Sequence, residues 1–200
     1  MSVRRLHDQQ PKSFAFSEDN RTRVQHWIAK FPPGRQASAV IAALWIGQEQ
    51  EGWVTKPMIE AVATLLGMPY IRVLEVATFY TMFHLAPVGK HHVQVCTTTP
   101  CWLRGSDEVV TACKKHIHEK PHTVSADGEF SWEEVECLGA CVNAPMVLIG
   151  HDPYEDLTGD KVVEIIQAIR RGETPKPGSQ IGRHSSEPLG GATTLKKEEV

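Results

Sequence analysis

The segment His92-Val-Gln-Val-Cys-Thr-Thr-Thr-Pro-Cys101 joins a strand pattern to a pair of cysteines. Val93 and Val95 alternate with more polar residues, which predicts a β-strand that ends at Cys96. A second pair, Cys137-Leu-Gly-Ala-Cys141, follows after 35 residues. Because each pair lies where a predicted strand passes into a loop, we expect the four thiols to project from neighbouring loops at one end of a sheet.

The residues around these pairs predict an α/β domain over 89–172. Residues 103–120 carry apolar side chains at helical spacing, and Asp127-Gly128 predicts a hairpin turn ahead of a further strand. Residues 146–149 predict a short buried strand, and Thr158 is a candidate N-cap for a last helix. The order strand, helix, hairpin, strand, helix is typical of an α/β sandwich.

The preceding part of the chain, 14–88, predicts a small helical domain. Four segments with apolar residues at helical spacing are separated by Pro and Gly, and short connections between short helices indicate a bundle. The predicted helices begin at Ser17, Gln36, Thr55 and Pro69. The large aromatic residues expected in the core of this domain are Trp27, Trp45 and Phe79.

The last 28 residues, 173–200, predict an extended tail. Ten of them are Pro, Gly or Ser, and they show no apolar periodicity. Such a composition favours disorder unless a partner surface orders the segment. The predicted fold class is therefore α+β, with an N-terminal helical bundle, an α/β domain and an extended C-terminal tail.

Composition and charge argue against several functional classes. The formal net charge of −3 gives no electrostatic reason to expect nucleic acid or an anionic membrane as a partner. The apolar runs are shorter than the ~20 residues of a membrane helix, and the first residues lack the apolar stretch of a secretory signal. We therefore expect a soluble cytoplasmic protein, in which cysteines are core residues, catalysts or metal ligands rather than a disulfide framework.

The spacing of the two cysteine pairs favours an iron-sulfur site. Thiolates are soft ligands that suit zinc or iron-sulfur, and gaps of four and three residues lie at the upper end of the range for structural zinc hooks. Plant-type ferredoxin spacing would require a cysteine where Arg104 stands, and a Rieske centre would require histidines beside the pair. The pattern thus indicates a four-thiolate [2Fe-2S] cluster. Its candidate ligands are Cys96, Cys101, Cys137 and Cys141.

Two other functions stay open on the residues alone. One is a zinc-stapled interaction module, in which a metal ion holds a docking surface together. The other is a thiol–disulfide oxidoreductase, although a redox dithiol usually has C-x-x-C spacing, which neither pair has. The sequence contains neither G-x-G-x-x-G nor a P-loop, so an electron carrier of this kind would need a partner that holds the substrate site.

The remaining cysteine and the histidines are not expected at the metal site. Cys113 lies on the apolar stripe of a predicted helix, where a buried and inert thiol is common. The chain has ten histidines, among them the pair His91-His92. We expect these imidazoles at the surface, where a solvated ring is the ordinary state.

Three segments together resemble the E subunit of NADH-quinone oxidoreductase, respiratory complex I. They are Leu66–Tyr80, Cys96–Cys101 and Glu136–Met146. The resemblance implies a helical domain followed by a thioredoxin-like domain that carries one [2Fe-2S] cluster, with a cis-proline expected at Pro145 beside the redox centre. The ligands of the family map without departure onto Cys96, Cys101, Cys137 and Cys141.

The same resemblance implies electron transfer near a flavin. In the family this subunit pairs with a flavoprotein subunit that binds FMN, NADH and a [4Fe-4S] cluster, and the [2Fe-2S] centre lies off the main electron route. The chain would be one subunit of a proton-translocating NADH:quinone oxidoreductase, without a complete active site of its own; relatives serve NAD-linked hydrogenases and formate dehydrogenases. The implied location is the cytoplasmic side of the bacterial inner membrane, or the matrix side in mitochondria, with attachment through the complex and no direct membrane insertion.

Overall fold

The computed structural model describes residues 4–191 and Thr194. Between Val88 and Gly89 the chain divides into two compact units, each with its own hydrophobic core. The first unit is helical and the second is built on a five-stranded sheet, which confirms the predicted α+β class. In the described part of the chain, no helix has the length and apolar character that a bilayer span requires.

The first unit contains all four predicted helices. They are α1 Glu18–Ile28, α2 Val40–Glu51, α3 Lys56–Leu66 and α4 Tyr70–Phe79, with a 3-10 turn at Gln36–Ala39 ahead of α2. Ser17 and Thr55 cap α1 and α3: their hydroxyl oxygens accept hydrogen bonds of 3.2 Å from the N–H groups of Asn20 and Met58. The capping residues therefore fix where these helices begin, as the sequence predicts.

The core of the helical unit contains only part of the predicted aromatic set. Trp45 packs against this core, whereas Trp27 is 41% exposed and Phe79 is 75% exposed, so the prediction was wrong for these two residues. Val24 is the fully buried side chain of α1. Trp27 lies at the edge of that stripe, with the Lys30 ammonium 3.6 Å from its ring centroid, and Phe79 is the last residue of α4.

The second unit is a mixed sheet with strand order β2-β1-β3-β4-β5. The strands are β1 His91–Cys96, β2 Phe130–Val135, β3 Val147–Ile149, β4 Asp152–Glu155 and β5 Gly178–Ser179. The helices are α5 Thr99–Leu103, α6 Ser106–His116 and α7 Gly159–Arg170. β1 is parallel to β2 and antiparallel to β3, while β4 is antiparallel to β3 and parallel to β5. Neighbours on both sides therefore hold β1.

The connection between β1 and β2 differs from the predicted one. The single helix predicted over 103–120 is broken at Gly105, whose φ of +95° is a left-handed conformation that a helix cannot continue. Because β1 and β2 are parallel, a helical crossover joins them, and the predicted hairpin is wrong. Asp127-Gly128 instead forms a turn into β2, with a 2.8 Å hydrogen bond from the Gly128 N–H to the Ser125 carbonyl.

The sequence pattern does not predict β4 or β5. β4 contains Asp152 and Pro153, two residue types that are depleted in strands, yet it pairs with β3 across the turn at Gly150. β5 lies in the Pro- and Gly-rich tail and pairs with Tyr154 and Glu155 of β4. Pairing to existing strands thus decides the conformation of both segments against their local preferences.

The helices α6 and α7 contribute to the core of the second unit. Their apolar side chains meet those of β1 and β2, including the fully buried Trp132. Thr158 caps α7 as predicted, because its hydroxyl accepts a 3.2 Å hydrogen bond from the Lys161 N–H. Cys113 is fully buried here, which confirms its predicted packing role, and burial raises the pKa of its thiol to about 12.

The described part of the tail is anchored to the second unit. β5 pairs with β4, and the Nε of Arg183 lies 3.1 Å from the Oδ2 of Asp156. The structure departs here from the disorder that composition predicts, because strand pairing and an ion pair within the same chain order the segment. Residues 192, 193 and 195–200 of the predicted tail lie outside the described residues.

Candidate metal centre

The sheet brings both cysteine pairs to one edge. Cys96 is the last residue of β1 and pairs in register with Val135, the last residue of β2. Because the two strands are parallel and adjacent, the loops that leave them start side by side. Cys137 follows β2 by two residues, Cys101 lies in α5, and Cys141 opens a 3-10 turn at Cys141–Asn143. The four predicted ligands are therefore neighbours in space.

The spacing of the sulfur atoms suits metal ligation. The Sγ atoms of Cys137 and Cys141 are 3.5 Å apart. Two sulfurs on one tetrahedral metal, each at about 2.3 Å, would be about 3.8 Å apart. The thiols of Cys96 and Cys101 form a hydrogen-bonded pair, and Cys141 interacts electrostatically with both of them. The donor set thus fits a group that takes four thiolates in two pairs.

The two pairs differ in exposure. We call Cys96 and Cys101 the inner pair and Cys137 and Cys141 the outer pair. Each cysteine of the inner pair is 1% exposed, and the side chains packed beside them include Ala144 and Met146. Both cysteines of the outer pair are exposed. One side of the site is therefore dry, and the other faces the protein surface.

The thiols perturb one another's ionisation. Burial alone would raise the pKa of Cys96, but hydrogen bonds from the Thr98 hydroxyl and from the N–H groups of Leu138 and Thr98 outweigh it and lower that pKa. Burial, and then the neighbouring Cys96, raise the pKa of Cys101 to about 12. The hydrogen bond with Cys137 raises the pKa of Cys141. Four thiolates can therefore coexist here only when a cation compensates their charge.

Backbone N–H groups also point at the inner sulfurs. The predicted donors were the segments around Thr98 and Leu138, and both supply a hydrogen bond to Cys96. The Met146 N–H, which the sequence did not indicate, donates to Cys101. It follows the Ala144–Pro145 peptide bond, which is cis as the resemblance implies. These donors can stabilise negative charge on the sulfurs of a bound cluster.

The loop between the outer cysteines depends on one glycine. Gly139 has φ +93°, in the region that side chains disfavour. A Cβ at this position would meet no atom within 4 Å. The requirement for glycine is therefore conformational rather than steric, and it allows the Cys137–Cys141 loop to turn back on itself.

The histidine prediction was wrong for His92. Its Nδ1 lies 2.7 Å from the Ser131 hydroxyl and its Nε2 lies 3.1 Å from the Glu133 carboxylate, so the neighbouring strand β2 supplies polar partners that allow burial. His92 is four residues before Cys96 on β1, which is roughly 13 Å along an extended strand. It lies away from the cysteine edge and is not a candidate ligand.

Comparison with known proteins identifies the family. The family model for the thioredoxin-like [2Fe-2S] ferredoxin matches residues 24–170. The chain belongs to the thioredoxin-like [2Fe-2S] ferredoxin family. This membership confirms the predicted cofactor, one [2Fe-2S] cluster, and favours it over the zinc and dithiol alternatives.

Curated relatives of this ferredoxin are respiratory proteins by name, each an E subunit of NADH-quinone oxidoreductase. The chain is 55% identical over 204 residues to the first such protein (numbered 1) of Rhizobium meliloti (strain 1021), which covers 100% of this chain and 74% of that protein. It is 52% identical over 159 residues to the corresponding protein of Rickettsia bellii (strain RML369-C), covering 79% of this chain and 95% of that protein.

A solved structure shares the fold of this ferredoxin. A chain of NAD+-reducing [NiFe]-hydrogenase in the H2-reduced state aligns with a TM-score of 0.57 and 19% identity. The alignment covers 68% of this chain and 22% of that chain. At this identity the likeness is one of fold.

Proposed function

We propose that this chain is the electron-transfer subunit of a proton-translocating NADH-quinone oxidoreductase. The observation that carries the proposal is the convergence of four thiols at one edge of the sheet, in a chain whose relatives bear the name of that complex. The proposed ligands of one [2Fe-2S] cluster are Cys96, Cys101, Cys137 and Cys141. When bound, the cluster supplies reversible one-electron transfer.

The protein's own part is to hold and shield the cluster. The inner pair excludes water through its burial, and N–H groups of Leu138 and Met146 donate hydrogen bonds that favour thiolate over thiol. The outer pair lies at the surface, where a partner's redox centre can come near. The exposed neighbours Trp102 and Val142 give this surface an apolar component that a partner could cover.

The proposed partner is a flavoprotein subunit that binds NADH and FMN. This chain has no dinucleotide fingerprint, so the hydride chemistry must take place on another chain. We propose that the helical domain 14–88 and the tail 173–200 form much of the contact, while 89–172 carries the cluster. Ile71 and Phe79 of α4 are 62% and 75% exposed, as expected for side chains that a partner covers.

Attachment to the membrane would be indirect. We place the protein on the cytoplasmic side of the bacterial inner membrane, bound through the rest of the complex. Co-purification with a membrane-bound quinone reductase tests both the partner and the location. Recovery of the chain free of any flavoprotein from gently solubilised membranes would contradict this part of the proposal.

Metal analysis of the purified chain tests the site. Protein purified without oxygen should be red-brown, with two irons and two sulfides per chain, as the [2Fe-2S] stoichiometry requires. Cys137→Ser should lose the cluster or release it faster, because a hydroxyl is a poor replacement for a soft thiolate. Cys113→Ala is the matched control and should keep the full iron content, since Cys113 lies in the apolar core. A colourless chain with one zinc would refute the proposal.

A further inference from the structure

The tail carries a buried ion pair beside the metal centre. The side chains of Arg183 and Asp156 are 8% and 3% exposed, and the other Lys and Arg ion pairs of the described residues are more exposed. Burying two opposite charges is costly unless further hydrogen bonds satisfy both ions. The remaining donors and acceptors of this pair therefore show what it holds together.

The guanidinium of Arg183 reaches the loop of the outer pair. Its Nη2 donates a 2.9 Å hydrogen bond to the carbonyl of Val142, the residue after Cys141. On the other side, the Ser179 hydroxyl donates a 2.7 Å hydrogen bond to the Asp156 carboxylate. One side chain of the tail thus connects Asp156, the residue after β4, to the backbone beside a proposed ligand.

Asn143 provides a second connection between the tail and the same loop. Its Nδ2 donates to the Ser185 carbonyl at 2.8 Å and to the Glu155 carboxylate at 2.7 Å, and its own carbonyl accepts from the Asp156 N–H at 2.7 Å. Asn143 is buried, although Val142 before it is exposed. The 3-10 turn at Cys141–Asn143 is therefore held from both the sheet and the tail.

We infer that Arg183 is a positioning residue for the cluster: together with 178–187 it fixes the loop that carries Cys141. The inference rests on the proposed ligand role of the outer pair. The inner pair belongs to β1 and α5, whereas the outer pair has only a loop and a single 3-10 turn. A ligand on such a loop is held in place by contacts from elsewhere, and here the tail supplies them.

The test compares two variants of the loaded full-length chain with a matched control. Arg183→Lys keeps the charge but cannot span Asp156 and the Val142 carbonyl together, and Arg183→Gln removes the charge. Arg171→Gln is the control, because Arg171 pairs with Glu173 at 2.7 Å on the exposed surface of the same chain region. The measurements are the rate of iron release to a chelator and the electron paramagnetic resonance spectrum of the reduced cluster.

We expect both Arg183 variants to release iron about tenfold faster than the parent, the factor that one hydrogen bond to a charged group is worth. Their spectra should also shift, and the control should match the parent in both measurements. Spectra and release rates equal to the parent would overturn the inference. So would a lower melting temperature with unchanged release and spectrum, since that result would give the tail a structural role alone.

The parent protein separates this inference from the proposed function. If the parent binds no iron and sulfide, the proposed function itself fails. If the parent is loaded and the Arg183 variants behave like it, only the positioning role fails. Should Arg183→Gln not fold, hydrogen exchange at the amides of 141–143 in Arg183→Lys decides: faster exchange there than in the parent supports the inference, and equal exchange overturns it.

Discussion

The inner and outer cysteine pairs present the same four-thiolate chemistry in two different settings. Cys96 and Cys101 are buried and belong to a strand and a helix. Cys137 and Cys141 are exposed, and their loop depends on Gly139 and on contacts with the tail. Protection is thus concentrated on one side of the site and access on the other. A cluster that must resist water and still exchange electrons needs both.

The largest expected effect is on the inner pair. Cys101→Ser should leave no bound cluster, with iron below about a tenth of the parent value, because a buried hydroxyl neither ionises nor replaces a soft ligand. Iron and sulfide analysis of the purified variant checks this, with Cys113→Ala as the fully loaded control. Normal loading of Cys101→Ser would show that burial does not set the importance of the inner pair.

Replacement of an outer ligand should be milder. Cys141→Ser should assemble a cluster but release it at least about tenfold faster than the parent, because an exposed oxygen ligand can be solvated while still being harder than sulfur. Visible absorption during incubation with a chelator measures this rate. Equal losses in Cys141→Ser and Cys101→Ser would remove the functional distinction between the two pairs.

The buried ion pair should contribute stability that depends on pH. Burial alone would raise the pKa of Asp156, but hydrogen bonds from Arg183 and Ser179 lower it below its usual range. A carboxyl with a depressed folded-state pKa stabilises the fold above its unfolded pKa of about 3.9, and this contribution is lost as the pH falls through the lower folded-state value.

Asp156→Asn should therefore lower the free energy of unfolding by roughly 2 kcal/mol at pH 7, because it leaves the guanidinium unpaired. The difference from the parent should shrink as the pH falls below about 3.9. Denaturant titrations of both chains between pH 3 and pH 7 measure it. A difference that stays constant over this range would show that Asp156 acts through packing rather than charge.

The smallest expected effect concerns the outer loop itself. Gly139→Ala forces a side chain into a left-handed conformation, which costs about 1–2 kcal/mol without any steric clash. We expect a lower free energy of unfolding and a modestly faster loss of cluster. Gly190→Ala is the control, since a Cβ there meets nothing within 4 Å and φ is not positive. Identical behaviour of the two variants would contradict the conformational role of Gly139.

Sequence patterns predict what is set locally and miss what is set by distant partners. Ser17, Thr55 and Thr158 cap helices through bonds to residues three positions away, so those helices were predicted correctly. The cysteine edge was also predictable, because strand ends and spacing place it. Asp127-Gly128 fits a hairpin as well as a turn after a crossover, so local sequence could not choose between them.

The tail shows the opposite case. Arg183 and Asp156 are 27 residues apart in the chain, and nothing in a Pro-, Gly- and Ser-rich segment indicates that an arginine will be buried beside a β-strand. β4 is hidden for a related reason, since Pro153 argues against a strand until β3 pairs with it. The inner half of the site follows from local sequence, while the support of the outer half is tertiary.

The pairing of β5 with β4 has a consequence for how the protein matures. Cys141 is translated 42 residues before Arg183, which at 5–20 residues per second is a delay of roughly 2 to 8 s. A nascent chain therefore exposes its ligands before the segment that steadies them exists. Durable insertion of iron and sulfide should await release from the ribosome, which makes loading a post-translational event in the life of this protein.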